Sequence, residues 1–232
     1  MTGIHQMLMA GRAKGPAPAY SAKGTSSEST STGTPMTPSY PAVSAGDLLI
    51  AITVCRGSTS TGPITDDSLT WTSLSSQGSG TTMMTTVWYK IATGSESGTS
   101  SFSWSASGSG LEALAVIIKI TGNASSGVID GSAGTNSGSS TTPSPASLTT
   151  AGTFELALCV ITYRNGNTCT DITGESGGDY AEAFAELKGT LSATSIDVQT
   201  ATMNAAGTIS GGTATLGAST IWHTCAFAVN SP

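Results

Sequence analysis

The stretch Gly46-Asp47-Leu48-Leu49-Ile50-Ala51-Ile52-Thr53-Val54-Cys55-Arg56-Gly57 decides the fold. A glycine and an acid open it, aliphatic and β-branched side chains fill it, and Arg56-Gly57 closes it. The run is too short to span a bilayer and has turn residues on both sides, so it reads as a buried central strand. About a hundred residues later the pattern returns as Ala151-Gly152-Thr153-Phe154-Glu155-Leu156-Ala157-Leu158-Cys159-Val160-Ile161-Thr162-Tyr163-Arg164-Asn165-Gly166. The approaches match as well: Pro38-Ser39-Tyr40-Pro41-Ala42 leads into the first copy and Pro143-Ser144-Pro145-Ala146-Ser147 into the second. Two such strands predict two similar halves of one sandwich.

Outward from the first copy, residues 69–72 read as a short strand with Trp71 aimed inward. Residues 83–92 alternate, with Met83, Thr85, Val87, Tyr89 and Ile91 on one face and Met84, Thr86, Trp88 and Lys90 on the other. Ser101-Phe102-Ser103-Trp104-Ser105 is a half-buried strand showing hydroxyls to water. Residues 111–120 are a second apolar run, and 131–145 read as a loop. In the second half, 180–187 is read as a strand matching 83–92. Residues 194–203 and 207–216 alternate loosely. The closing strand, 221–229, puts Ile221, His223, Cys225, Phe227 and Val229 on one face. Short strands joined by Gly/Ser/Thr turns predict an all-β, two-sheet, jelly-roll-like β-sandwich. Its domain is placed at 46–232, behind an extended N-terminal arm at 1–45.

The arm begins with an apolar plug of Ile4, Met7, Leu8 and Met9, followed by Arg12 and Lys14. Residues 16–41 are rich in Ser, Thr, Pro and Gly and show no periodicity. Alone, such a segment buries too little surface to offset its ordering entropy. A neighbouring subunit or partner is therefore expected to order it, with the alternative that it folds back on its own domain.

Only 9% of the 232 residues are charged, and 29 are glycine, against roughly a quarter charged in an average domain. Extracellular, surface and particle-forming β proteins share this hydroxyl-rich, charge-poor composition. The net charge is -6, divided as +2 over residues 1–45 and -8 over the remainder. An acidic body argues against nucleic-acid binding, which needs Lys and Arg on phosphates. No membrane span and no signal peptide is read from the sequence, so synthesis in a cytosol is expected. Cys55, Cys159, Cys169 and Cys225 form no C-x-x-C pair, which leaves a zinc site unsupported. They are read as free thiols filling small apolar sites.

The series Ala45-Gly46-Asp47-Leu48-Leu49, Leu69-Thr70-Trp71, Val87-Trp88-Tyr89-Lys90-Ile91-Ala92-Thr93-Gly94, Ser101-Phe102-Ser103-Trp104-Ser105 and the closing 221–229 resembles a β-sandwich module of bacteriophage virion structural proteins and some bacterial surface proteins. The resemblance covers about residues 38–230. It implies a sandwich fold and a virion station, and it brings no catalytic residues. Trp71 has no obvious counterpart in the second half.

Gly174-Glu175-Ser176-Gly177-Gly178 fits G-x-S-x-G, but a nucleophilic serine needs a histidine base and an orienting group. Of the two histidines, His5 lies in the arm and His223 in the closing strand, where it is read as a core residue bonded to a Thr or the backbone. Asp171, Glu175, Asp179, Glu182 and Glu186 read as a solvated acidic face rather than a calcium loop. Asp66-Asp67 reads as a turn cap.

These readings lead to the expectation of a non-enzymatic virion protein without cofactor, a capsid decoration or cement subunit. Its arm residues Ile4, Met7, Leu8, Met9, Arg12 and Lys14 would dock on the major capsid protein or another virion protein. Closed homo-oligomers, such as trimers, are expected. The alternative is a tail-fibre or adhesin-type module, extracellular or on a cell surface, that binds host glycan through loops 57–68, 123–145 and 165–178.

Overall fold

The computed structural model describes residues 15–64, 71–80, 82–106 and 110–232, and no helix forms among them. The first half comprises β1 (Ala19–Lys23), β2 (Ser27–Ser29), β3 (Leu48–Arg56), β4 (Ser58–Ile64), β5 (Thr72–Ser79), β6 (Met83–Ile91), β7 (Ser101–Ala106) and β8 (Glu112–Thr121). The second comprises β9 (Ile129–Ser140), β10 (Leu148–Thr150), β11 (Glu155–Tyr163), β12 (Thr173–Ser176), β13 (Ala181–Glu182), β14 (Leu187–Lys188), β15 (Ser195–Met203), β16 (Gly207–Thr213) and β17 (Thr220–Val229).

Two antiparallel six-stranded sheets form the sandwich. Their orders are β1-β8-β3-β6-β5, with β2 also on β8, and β13-β15-β11-β17-β9, with β14 also on β15. The strands quoted at the outset, β3 and β11, are the sheet centres. Leu48, Ile50, Ile52 and Val54 of β3 meet Leu156, Leu158 and Val160 of β11 in one core with Phe227 and Val229.

The outward faces of both central strands are buried too, because each sheet carries a further layer. The β4–β7 pair covers the first sheet, where Leu49, Ala51 and Cys55 pack with Met36, Trp71, Phe102 and Trp104. The β10-β16-β12 sheet covers the second, over Ala157, Cys159, Ile161 and Tyr163. A strand covered on both faces has no polar side to show. That is why both runs are continuous rather than alternating.

The halves share one topology. β3, β6 and β8 correspond to β11, β15 and β17, and β1 and β5 to β9 and β13. The pairing registers make the correspondence residue by residue: Val54 matches Thr162, Thr85 matches Ile196, and Leu114 matches His223. Trp71, just before β5, has its counterpart in Tyr180, just before β13; both are buried in the outer clusters.

Several expectations change. The loop expected at 57–68 holds β4. The boundary at residue 45 gives way for the described part of the arm. β1 and β2 pair with β8, Met36 is fully buried and bridges Phe102, and Tyr40 accepts from the buried Lys90 ammonium at 2.8 Å. Burial of the Met36 side chain contributes roughly 1.5–3 kcal/mol, and the ladders of β1 and β2 to β8 add to it. At Gly24 the crossing is so close that a Cβ would sit 1.8 Å from the Ser39 carbonyl oxygen. Residues 131–145, expected as a loop, are largely β9, whose Ser/Gly-rich sequence hid a strand held by β17. Residues 180–187 hold only the short edge strands β13 and β14. The match to β6 is β15, because an intervening edge segment occurs in both halves.

Candidate functional site

A two-sheet sandwich has two open seams, and here they are equivalent by the internal repeat. One lies between β1 and the β13–β14 segment, the other between β9 and β5. In the first, Tyr20 and Phe184 pack with ring centroids 5.8 Å apart, and Lys23 lies 5.6 Å over the Phe184 ring. Below them the turn after β14 is gripped by two carboxylates from the first half. Glu28 accepts from the Thr190 amide at 2.8 Å and its hydroxyl at 2.6 Å. Glu112, fully buried, accepts from the amides of Leu191, Ala193 and Thr194 at 2.6, 2.8 and 2.6 Å and from the Thr194 hydroxyl at 2.9 Å.

The second seam is open. Ile129 stands where Tyr20 stands in the first, since Ile120 pairs with Tyr20 and its counterpart Val229 pairs with Ile129. The result is a cleft of about 470 Å³ with Leu74, Tyr89, Ile91 and Ile129 on its walls. Ser73, Ser125, Ser126 and Ser132 add hydroxyls, and none of the described lining residues is charged. Two strand edges flank it. β5 pairs only with β6, and β9 only with β17, among the described residues. From Gly134 to Ser140, β9 carries neither a charge nor a proline, the usual guards of a free edge.

A polar chain crosses the central core. The Thr85 and Thr162 hydroxyls lie 2.7 Å apart, His223 Nδ1 lies 3.0 Å from the Thr85 hydroxyl, and His223 Nε2 lies 2.8 Å from that of Ser79. Burial pushes the His223 pKa down to about 4. Ser176 sits in the outer layer on β12, 3.2 Å from the Ser210 hydroxyl. The structure does not bring it together with His223, whose side chain faces the other side of the second sheet.

Of the acidic segment, Glu175 accepts from the Tyr180 amide at 2.9 Å, Glu182 from the Glu186 amide at 3.2 Å, and Glu186 pairs with Lys188 at 3.0 Å. Sequence reading missed Asp197, which is 1% exposed on the outer face of β15. Gln199 donates to it at 2.7 Å while its own Oε1 accepts from the Ile172 amide at 2.8 Å. Burial, with Glu182 and Glu186 nearby, pushes the Asp197 pKa up to about 7. The detectable signal was an acid at an outward position of a strand whose outward face is covered. No cluster of three or more metal-capable side chains occurs among the described residues. All four cysteines are free.

Ile4, Met7, Leu8, Met9, Arg12 and Lys14 lie outside the described residues, as do Asp66 and Asp67. The three loops expected to share one end do not. Residues 57 and 165 leave β3 and β11 just past Arg56 and Arg164, whereas Asn123 accepts from the Leu48 amide at the opposite end of β3. Of that set, only residues 125–129 and 131–133 line the cleft. Compared with known proteins, the chain matches no family model, no curated protein and no solved structure.

Proposed function

We propose that the chain is a non-enzymatic structural protein of a bacteriophage particle, a β-sandwich subunit that decorates or cements a capsid. The observation that carries this reading is the open seam, where two strand edges, β5 and β9, lie side by side with no ladder partner on their outer sides among the described residues. A free edge is a template for pairing with another chain, and the charge-poor, hydroxyl-rich surface suits a molecule that lives among copies of itself or a shell. The resemblance of Val87-Trp88-Tyr89-Lys90-Ile91-Ala92-Thr93-Gly94 and its flanking strands to virion sandwich modules supports the same reading. Attachment through the apolar residues Ile4, Met7, Leu8 and Met9 remains part of it, with the attaching segment shortened to residues 1–14 because 19–45 belong to the sandwich.

The test is the copy number of this chain in purified particles, by quantitative mass spectrometry against the most abundant shell protein. A ratio fixed by an icosahedral lattice is the expected result. A few copies per particle would move the chain to the tail, and absence from every particle would remove the virion reading.

A further inference from the structure

From the open seam we infer that the cleft between β5 and β9 is a binding site for one neutral saccharide ring, with Tyr89 as its stacking platform. The inference does not rest on the particle reading and stands or falls separately from it.

The internal repeat supplies the argument. The equivalent seam is closed by a ring from each side, Tyr20 from the sheet edge and Phe184 from the β13–β14 segment. The open seam has Ile129 and Leu74 on those two sides. Its inner wall carries Tyr89 where the filled seam has Thr200, since Tyr89 pairs with Ile50 and Thr200 with the matching Leu158. The chain thus shows that this crevice accepts a ring between its sheets. In one copy it supplies the rings itself; in the other it leaves the space.

The lining sets the ligand's chemistry. A charged ligand would lose its hydration without a counter-charge, because none of the described lining residues is charged. A wholly apolar ligand would leave the serine side of the cleft unused. A pyranose satisfies both walls. Its C–H face packs on Tyr89 and the Leu74, Ile91 and Ile129 side chains, and its hydroxyls face Ser73, Ser125, Ser126 and Ser132. The volume, about 470 Å³, lies within the range of small-molecule sites.

The test uses the full chain and saturation-transfer NMR with methyl glucoside, methyl galactoside and N-acetylglucosamine as neutral probes and sialic acid as the anionic one. Wild type is expected to transfer saturation to at least one neutral probe and not to sialic acid. The double variant Leu74→Phe with Ile129→Tyr rebuilds the ring pair of the closed seam. It should remain folded and weaken binding at least about tenfold, the loss of roughly 1.4 kcal/mol of contact. Should that core change impair folding, Ser126→Trp on the exposed rim blocks the cleft from outside and is read instead. No transfer to any neutral probe at millimolar concentration overturns the proposal. Unchanged binding by a folded, blocked variant overturns it equally, by placing the saccharide elsewhere.

Discussion

The hydroxyls of Thr85 and Thr162 meet 2.7 Å apart across the two sheets, and Thr85 also contacts His223 Nδ1. At the three equivalent positions of the repeat stand Ile196, Val54 and Leu114. One core thus holds a polar trio and its apolar mate. Removing one member of the polar trio leaves buried groups unsatisfied, whereas removing all three leaves only the partly exposed Ser79 hydroxyl without its imidazole partner. Thr85→Ile alone is expected to lower stability by about 2–3 kcal/mol. The triple variant Thr85→Ile, Thr162→Val, His223→Leu should return to within about 1 kcal/mol of wild type. Urea unfolding curves check this, and a triple variant weaker than the single would refute it.

His223 and Asp197 give stability opposite pH slopes. His223, down to about 4 from 6.5, binds fewer protons folded than unfolded between those values, so its contribution falls as pH drops through that window. Asp197, up to about 7 from 3.8, binds more protons folded, so its contribution falls as pH rises from 3.8 to 7. Relative to wild type, His223→Leu should lose stability as pH rises from 4 to 6.5, and Asp197→Asn should gain it from 3.8 to 7. At about 1.4 kcal/mol per unit, the changes are of the order of 3 kcal/mol for His223 and about 4 kcal/mol for Asp197. Two parallel differences, or differences of the reverse sign, would contradict the burial of these groups.

Gly189 stands against the Glu112 carboxylate so closely that a Cβ would lie 2.2 Å from its Cδ. A long side chain normally swings away, but four hydrogen bonds hold this one. Gly189→Ala and Glu112→Ala should therefore disturb the same turn, each by about 2–4 kcal/mol. A double-mutant cycle should show strong coupling, and additive effects would separate the glycine from the carboxylate.

Deleting residues 1–14 should leave thermal unfolding of the sandwich nearly unchanged while abolishing attachment to particles. Deleting 1–45 should prevent folding, because it removes β1, β2, the buried Met36 and the Tyr40 partner of Lys90. Circular dichroism melts of the two truncations make the comparison. A cooperative melt for the longer truncation would restore residues 16–45 to the status of a separate arm.

Cys55, Cys159 and Cys225 are buried, and burial lifts their thiol pKa values, that of Cys225 to about 12. In native protein these three should resist alkylation at pH 8 and all four should react after unfolding. Reductant should leave the melting temperature unchanged.

The local pattern was enough for the central strands, the alternating β6 and β7, the closing strand and the presence of two halves. In each case hydrophobic periodicity reports burial directly, and Leu48 to Val54 needs no partner's identity to read as core. β9 was not legible, because Gly131 to Ser140 carries almost no apolar side chain and exists as a strand only through its ladder to β17. Nor was the fate of residues 16–45, since Met36 and Tyr40 look like isolated apolar residues until Phe102 and Lys90 are brought beside them. The candidate cleft is a still more distant relation. Tyr89 appeared in the sequence as one member of one face of an alternating strand. It borders open space only because the repeat puts Ile129 where the other seam has Tyr20. Sequence determined which segments must be buried, because transfer of apolar groups from water is local and additive. Tertiary structure decided which edges pair, which seam closes and which stays open, because those depend on contacts between residues more than a hundred positions apart.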